Sequence, residues 1–326
     1  MSEFNLIQKY FSRPIRHTDL GVGDDAALIK VADGMQLVVS TDMSVAGTHF
    51  FHDAAAYDIG WKSLAVNVSD MAAMGAQAKW ATLAIALPEV NEAWLTEFSR
   101  GFFACADVFN IDLIGGDTTK GSLNISVSIM GELPIGQALR RDGAKVGDDI
   151  WVSGTLGSAA LVLAHLQGKI KLDNDVLQAN IHALCRPMPR AALGLALRGI
   201  ATSCIDISDG LLADLGHILK AANCGASIDL EKIPCIDYLK NDLRNPQYQT
   251  FILAGGDDYE LCFTAPPSKR DEIEMLSKQQ NILLTCIANT HKPTGRMANS
   301  LNAGNLQALY QNRPLSLLKQ GFDHFA

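Results

Sequence analysis

The chain has 326 residues, of which 48% are hydrophobic and 19% are charged, and its formal net charge is −8 at pH 7. This length predicts two domains, and the composition is typical of a globular enzyme with a large core. The acidic balance argues against general nucleic-acid binding, which needs a basic surface.

The cysteines and the N-terminus bear on the cellular compartment. Seven cysteines are scattered along the chain without a C-x-x-C pair, so we expect reduced thiols and no zinc site. The first 16 residues mix charged and apolar side chains, unlike a signal peptide. No run reaches the roughly 18 to 20 apolar residues that a membrane-spanning helix needs. We therefore expect a cytoplasmic protein with neither nucleic-acid nor membrane partners.

The first half of the chain alternates between helical and strand-like patterns. Helices are predicted where apolar residues recur every three or four positions, and strands where short apolar runs end at turn residues. In chain order the predicted segments are a helix over 1–11, a helix over 53–76, a strand over 80–87, a helix over 91–109, a strand over 111–114 and a strand over 123–130.

A polar stretch over residues 136–147 ends in the turn signal Gly147-Asp148-Asp149 and predicts a domain boundary, with domains at 1–137 and 147–326. Helices and strands remain interleaved beyond it, which indicates an α+β or α/β protein of two domains. The predicted segments are a strand over 150–152, a helix over 158–167, a helix between Gly210 and Gly225, a strand over 252–254 and a helix over 268–280.

An apolar, strand-like run ends four times at small residues that are followed by aspartate. Several carboxylates at the ends of buried strands are poorly solvated and repel one another. Mg2+ relieves both problems, because it takes oxygen ligands and is commonly shared with substrate phosphates. The pattern therefore predicts metal-assisted phosphate chemistry. The four segments, with a fifth acidic turn, are Ser40-Thr41-Asp42, Gly115-Gly116-Asp117, Asp206-Ile207-Ser208-Asp209, Gly255-Gly256-Asp257-Asp258 and Gly23-Asp24-Asp25.

Each of these segments also has an ordinary structural interpretation. Gly23-Asp24-Asp25 is typical of a surface turn, and Ser40-Thr41-Asp42 and Ser208-Asp209 are typical of helix caps. Gly115-Gly116-Asp117 has the form of a phosphate-contacting loop, although this short motif is weak on its own. Asn67 and Asp70 lie three residues apart on a predicted helix, where they either face a metal or form a solvated surface.

Known nucleotide-binding and catalytic signatures are missing from the sequence. There is no Walker sequence, no dinucleotide fingerprint and no protein-kinase signature set. His49 lies beside two phenylalanines and can be a packed structural residue, and Arg141 lies in the polar linker, where it either binds phosphate or is simply solvated. No serine–histidine–aspartate arrangement follows from the spacing, so we do not predict nucleophilic catalysis.

Nine motifs in a fixed order extend nearly from end to end of the chain. They are Gly23-Asp24-Asp25-Ala26-Ala27-Leu28, Ser40-Thr41-Asp42, Ala46-Gly47-Thr48-His49-Phe50, Ala65-Val66-Asn67-Val68-Ser69-Asp70-Met71-Ala72-Ala73-Met74-Gly75-Ala76, Gly115-Gly116-Asp117-Thr118-Thr119, Arg186-Pro187, Ile207-Ser208-Asp209-Gly210-Leu211, Gly256-Asp257-Asp258-Tyr259-Glu260-Leu261 and Gly321-Phe322-Asp323-His324-Phe325. In this order they resemble the thiamine-monophosphate kinase family of the aminoimidazole ribonucleotide synthetase superfamily. Single motifs are shared with sister enzymes, but the third, eighth and ninth together are specific to the kinases.

The resemblance implies a fold, an activity and partners. The fold would be α+β, with an N-terminal mixed sheet that dimerises through its strands and binds ATP and Mg2+. A C-terminal α/β sandwich domain would close over the substrate. The activity would be ATP-dependent phosphorylation of thiamine monophosphate to thiamine diphosphate by a homodimer, with several Mg2+ ions.

The resemblance also implies roles for individual residues. The Mg2+ ligands would be Asp25, Ser40, Thr41, Asp42, Asp70, Asp117, Asp206 and Asp209. The nucleotide contacts would be Gly116, Asp117, Arg141 and Ser208. The thiamine-side contacts would be His49, Glu260 and Phe322, with Glu260 bonded to the aminopyrimidine and Phe322 stacked on a ring.

The acceptor phosphate suggests a mechanism without a general base. A phosphate monoester has a second pKa near about 6 and is largely dianionic at neutral pH. We therefore expect direct in-line transfer, in which the cations neutralise and align two phosphates. Two alternatives remain: another ATP-dependent enzyme of the same superfamily, and a non-catalytic nucleotide-binding protein on the same scaffold.

Overall fold

The computed structural model describes residues 3–293, 306–315 and 321–322. The first two residues of the predicted N-terminal helix and the segment Asp323-His324-Phe325 of the C-terminal motif lie outside the described residues. Within the described ranges, no helix has the length and apolar character needed to cross a membrane.

Two compact units make up the chain, and each is formed from two segments. The division after Ala138 falls inside the predicted linker, whereas residues 72–75 group with the second unit, which no feature of the sequence indicated. The N-terminal unit consists of Met1–Met71 and Ala76–Ala138, and the C-terminal unit consists of Ala72–Gly75 and Leu139–Ala326.

The N-terminal unit contains the helices and strands that periodicity predicted, together with a long strand before the second helix. In chain order they are α1 Glu3–Tyr10, β1 Met35–Val45, α2 Ala56–Ala73, β2 Gln77–Leu87, α3 Glu92–Phe109, β3 Asp112–Lys120 and β4 Asn124–Pro134.

These strands form one mixed sheet in the order β1-β4-β2-β3, in which β4 is antiparallel to β1 and β2, and β3 is parallel to β2. A parallel pair needs a crossover connection, which α3 provides. Trp80 of β2 and Phe98 and Phe102 of α3 are fully buried, so the apolar spacing of α3 did mark its core face. The predicted N-terminal mixed sheet is confirmed.

Two of the predicted strand ends are wrong. β1 continues through Ser40-Thr41-Asp42 to Val45, and β3 continues through Gly115-Gly116-Asp117 to Lys120. The first stretch stays paired with β4 and the second with β2. Small and polar residues lower strand propensity only weakly, and pairing with a neighbouring strand overrides it. These aspartates therefore lie within strands and not beyond them.

The C-terminal unit is built around a second sheet. The elements of this unit are β5 Asp149–Ser153, α4 Ser158–Leu166, α5 Asn174–Cys185, α6 Ala191–Ala196, β6 Ser203–Asp206, α7 Leu211–Ala221, β7 Gly225–Asp229, α8 Asp237–Lys240, α9 Pro246–Ala254, β8 Leu261–Ala265, α10 Arg270–Gln280, β9 Leu284–His291, β10 Leu306–Tyr310 and β11 Arg313–Pro314. The strands lie in the order β11-β10-β7-β9-β5-β8-β6. Ile150 and Val152 of β5 face one apolar cluster, and Trp151 between them faces another, as expected of a sheet packed on both faces.

The predicted strand over 252–254 is also wrong, because these residues form the last turn of α9. Asn245 accepts a hydrogen bond from the Gln247 N–H, and Pro246 occupies the first helical turn. An Asn-Pro pair is a helix-start signal, whereas a four-residue apolar run does not distinguish a strand from a buried helix end. The fourth copy of the aspartate pattern therefore follows a helix.

Candidate active site

In the N-terminal unit, β1 and α2 bring Ser40 and Asp70 together. The Ser40 Oγ donates to Asp70 Oδ2 at 2.5 Å. Strand alternation places Asp42 on the same face of β1 as Ser40, and both residues are half-buried. The predicted ligands Ser40 and Asp42 therefore share one face of β1, and the predicted ligand Asp70 of α2 is bonded to Ser40 on that face.

Thr41 points the other way. Its side chain is exposed, and its Oγ1 lies 2.8 Å from the Oγ of Ser128, the residue directly opposite on β4. Successive side chains of a strand alternate between its faces, so the Thr41 hydroxyl is separated from Ser40 and Asp42 by the sheet. A metal contact by Thr41 next to Asp42 would have to use its main-chain carbonyl oxygen.

Gly116 and Asp117 lie in β3, so the expectation of a glycine-rich phosphate loop is wrong in its geometry. Gly116 has a φ of 151°, and a Cβ atom at this position would lie 1.8 Å from the Leu83 carbonyl oxygen. The close approach of β2 therefore accounts for this glycine. Asp117 pairs with Ala84 of β2 and is exposed, which leaves its carboxylate accessible to a ligand.

Asn67 does not lie on a solvated helix face, which was one of its two interpretations. It is fully buried in α2, and its Nδ2 donates to the Ser63 carbonyl oxygen at 3.0 Å. Its Oδ1 is buried and has no hydrogen-bond partner among the described residues. Asp70, one turn later, is half-buried, so the two residues differ in their access to solvent.

Asp25 and His49 occupy two loops of the N-terminal unit. Asp25 is exposed, and its N–H donates to the Asp24 carboxylate at 2.9 Å, as in the ordinary acidic turn that was its alternative interpretation. The Val45 N–H donates to His49 Nδ1 at 3.0 Å, which orients the ring. This bond makes Nδ1 an acceptor, so the proton of a neutral ring lies on Nε2.

In the C-terminal unit, Asp206 ends β6 and is buried, while Ser208 and Asp209 are half-buried in the connection to α7. Neither Ser208 nor Asp209 caps the helix, which was their alternative interpretation. The N-cap is Gly210, with a φ of 121°. Both side chains therefore remain in the connection, outside the helix.

Asp214, in the first turn of α7, was missed by the sequence analysis. Its Oδ2 accepts hydrogen bonds from the N–H groups of Ser208, Asp209 and Gly210 at 3.0, 3.1 and 3.1 Å. Burial, and then the charges of Asp206 and Asp209, raise the pKa of Asp214 to about 7. An acidic residue one turn after a Ser-Asp-Gly turn is the signal that could have identified it.

Main-chain hydrogen bonds place the fourth acidic segment beside the third. The Asp257 N–H donates to the Ser208 carbonyl oxygen and the Tyr259 N–H donates to that of Ile207, both at 2.8 Å. The Asp257 carboxylate accepts from the Tyr259 hydroxyl at 3.0 Å. Two segments that are about 50 residues apart in the sequence thus lie side by side.

Asp258 supports the start of α4. The Gly157 N–H, which precedes this helix, lies 3.0 and 3.1 Å from the two carboxylate oxygens of Asp258. Burial raises the pKa of Asp258 well above its ordinary value of 3.8. Below pH 3.8 both the folded and the unfolded chain carry this proton. Above it only the unfolded chain loses the proton, so this group's contribution to stability falls as pH rises towards the folded pKa.

We therefore expect the Asp258→Asn variant to gain stability relative to the parent protein as pH rises above 3.8 towards the folded pKa of Asp258, by up to about 1.4 kcal/mol per pH unit. Asn keeps an acceptor for Gly157 and does not ionise. Urea unfolding at several pH values measures the difference, with the exposed Asp237→Asn as the control. A difference that stays constant with pH would contradict the assignment.

Glu260 is buried and 6% exposed, and it is held by hydrogen bonds from two side chains. Arg190 Nε donates to Oε2 at 2.6 Å, Arg190 Nη2 donates to Oε1, and Ser153 Oγ donates to Oε2 at 2.5 Å. Arg190 was also missed by the sequence analysis. The motif 186–190 contains two arginines among prolines, and the sequence does not indicate which of them meets a carboxylate.

Arg141 and Phe322 lie at the edges of the C-terminal unit. Arg141 begins a short 3-10 turn and is exposed, while its neighbour Arg140 is paired with Asp142. The Phe322 N–H donates to the Asp209 carbonyl oxygen at 3.1 Å, and its ring is 49% exposed. The structure thus places Phe322 next to the Ser208-Asp209 connection with its ring accessible.

The predicted ligands fit Mg2+ by their chemistry. Each unit offers carboxylate, hydroxyl and main-chain oxygens, which are the donors that this ion prefers. Burial, and then the negative charges of Asp206 and Asp209, raise the pKa of Asp214, and a bound cation would offset the part that comes from these charges. Among the described residues, no three His, Cys, Asp or Glu side chains already converge as a metal cluster.

Comparisons with known proteins identify the family to which the two units belong. Residues 23–133 match the family described as AIR synthase related protein, N-terminal domain, and residues 145–289 match its C-terminal domain. The thiamine-monophosphate kinase of Salmonella typhimurium (strain LT2) is 43% identical over 329 residues, which cover 99% of this chain and 98% of that protein.

Solved structures extend the likeness to the fold. The crystal structure of thiamine-monophosphate kinase from Stenotrophomonas maltophilia K279a is 42% identical, with a TM-score of 0.82 and 96% of each chain covered. The structure of AaThiL complexed with AMPPCP and TMP is 27% identical, with a TM-score of 0.76, and covers 99% of this chain and 96% of that one. The likeness in sequence and fold spans both units, and the chain belongs to the thiamine-monophosphate kinase family of AIR synthase related proteins.

Proposed function

We propose that the protein transfers the γ-phosphoryl group of ATP to thiamine monophosphate, giving thiamine diphosphate. The observation that carries this proposal is the match to a thiamine-monophosphate kinase over nearly the full length of the chain, at 43% identity. The structure of a relative with AMPPCP and TMP supports the two substrates.

Several Mg2+ ions would be held by the oxygen donors of the two units, namely Asp25, Ser40, Thr41, Asp42, Asp70, Asp117, Asp206 and Asp209. When bound, these ions would neutralise the two phosphates, which otherwise repel each other. The protein's own carboxylates thus serve as anchors, and no side chain is required as a general base. In-line transfer predicts that rapid-quench experiments with labelled ATP detect no phosphorylated enzyme.

The remaining predicted residues would bind the organic parts and phosphates of the substrates. Gly116, Asp117, Arg141 and Ser208 are assigned to the nucleotide. His49, whose ring is oriented by the Val45 N–H, Glu260 and the accessible Phe322 ring are assigned to thiamine monophosphate.

We expect a homodimer in which the N-terminal sheet pairs with its copy. β1 is an edge strand of this sheet and exposes Leu37, Val39 and Met43, by 41%, 58% and 56%. An apolar row on an edge strand is a ready template for pairing with a second chain.

The Val39→Glu variant should therefore shift sedimentation from dimer towards monomer, because a buried interface does not accommodate an unpaired charge. Val108→Glu, on the similarly exposed surface of α3, is the matched control and should leave the dimer intact. A dimeric Val39→Glu protein, or a monomeric parent protein, would contradict this interface.

One assay tests the proposed activity. Incubation of the protein with thiamine monophosphate, ATP and Mg2+ should give thiamine diphosphate and ADP in equal amounts. Turnover of ATP only with another acceptor would favour a different enzyme of the superfamily. Calorimetric binding of ATP–Mg2+ without turnover of any acceptor would favour a nucleotide-binding protein on this scaffold.

A further inference from the structure

The C-terminal unit contains two buried carboxylates that are each held by a two-pronged arginine and one neutral donor. Glu260 takes two bonds from Arg190 and one from Ser153. Asp149 takes two bonds from Arg270, at 2.6 and 2.8 Å, and one from Asn289 at 3.1 Å. The Asp149–Arg270 pair has no role in the proposed site, so it serves as an internal reference for the Glu260–Arg190 pair.

The two pairs differ in their surroundings. Asp149 is fully buried beneath an arginine whose side chain is 51% exposed. In the Glu260 pair the arginine is less exposed, because the Arg190 side chain is 25% exposed, and both side chains are largely enclosed by protein. The guanidinium group of arginine is planar and donates in a fixed fork, so Arg190 fixes the plane of the Glu260 carboxylate.

The main chain at Gly154 further limits where the Glu260 carboxylate can lie. A Cβ atom at Gly154 would be 2.0 Å from Glu260 Oε1, and Gly154 has a φ of 57°. Glu260 Oε1 thus occupies the space that a side chain at position 154 would need. Arg190, Ser153 and Gly154 together define one orientation of the carboxylate.

A carboxylate has about four lone-pair positions. On Glu260, Oε2 accepts two hydrogen bonds and Oε1 accepts one. The remaining acceptor position lies on Oε1, on a carboxylate group that already accepts from three donor atoms. Such a group suits a ligand that presents a hydrogen-bond donor and disfavours one that presents a carbonyl oxygen.

We propose that Arg190 is a positioning residue that holds the Glu260 carboxylate in the orientation that accepts a hydrogen bond from the amino group of the acceptor's pyrimidine ring. This inference rests on the proposed function and deepens it, because it assigns the acceptor specificity to a pair of residues. Removal of Arg190 would leave the buried Glu260 carboxylate without its charged partner, so the carboxylate is expected to turn away from this orientation.

Steady-state kinetics of Arg190→Met, with Arg270→Met as the matched control, tests the proposal. Arg190→Met should raise the KM for thiamine monophosphate at least about tenfold, the equivalent of losing one charged hydrogen bond, while the KM for ATP changes less than about twofold. Arg270→Met should lower the unfolding temperature and leave both KM values unchanged. If Arg190→Met does not fold, Arg190→Lys, which keeps the charge without the fork, should show the same selective rise.

An acceptor analogue with a carbonyl oxygen in place of the amino group provides a second readout. The parent protein should prefer the amino compound, and Arg190→Met should lose most of this preference. An unchanged preference, or equal KM changes in the Arg190 and Arg270 variants, would overturn the positioning role. Absence of thiamine diphosphate formation by the parent protein would instead overturn the proposed function, and calorimetric binding of the two acceptor compounds would then test Arg190 separately.

Discussion

The Asp42→Asn variant is expected to keep its fold and to lose at least about 100-fold in kcat. Asp42 shares a face of β1 with Ser40, whose hydroxyl is bonded to Asp70, so the substitution removes one negative charge from this group. Charge neutralisation by a bound metal contributes several kcal/mol in phosphoryl transfer, and each 1.4 kcal/mol corresponds to about tenfold in rate. The apparent Mg2+ concentration for half-maximal activity should rise as well.

Single-turnover kinetics across a range of Mg2+ concentrations measures both effects. Asp117→Asn, on β3, should behave similarly, although its carboxylate is exposed and does not share the Ser40 face. Asp33→Asn makes the same chemical change at an exposed turn of the same unit and should have normal kinetics. Near-normal turnover in both the Asp42 and Asp117 variants would refute the role of these carboxylates as metal anchors.

The second large effect is expected at Asp214, which was not predicted from the sequence. In Asp214→Ala, the N–H groups of Ser208, Asp209 and Gly210 lose their shared acceptor. An unsatisfied buried donor costs about 1–3 kcal/mol, and part of this cost is recovered if water enters. We expect a loss of about 1–3 kcal/mol in unfolding free energy, because at least one of the three donors is buried.

Activity should fall as well, because the connection that carries Ser208 and Asp209 loses its internal support. Asp214→Asn keeps one acceptor oxygen and should show smaller losses in both properties. Asp271→Ala removes an exposed acidic residue from the first turn of α10 and serves as the control. Unfolding by urea and the KM for ATP–Mg2+ are the measurements, and an Asp214→Ala protein with normal values for both would show that this carboxylate does not organise the connection.

Periodicity and composition were sufficient for the elements with a clear pattern. α3 begins and ends next to the predicted residues, because Asn91 caps it and the left-handed Asn110 terminates it. The strands β2 and β4 were recognised because their apolar or alternating residues face a core. Where the local pattern was short, as at 252–254, a buried helix end and a strand look alike.

The chemistry was predictable from the sequence because residue types and their order are written in it, whereas the partners of each residue were not. The order of the acidic motifs was enough to indicate the family and its phosphate chemistry. That β1 and β3 continue through their aspartates, and that Thr41 lies on the opposite face from Asp42, was decided by strand pairing. The bonds of Glu260 with Arg190, and of Asp214 with the connection before α7, were decided by folding, since hydrogen bonds and charge pairs form between groups that only the tertiary structure brings together.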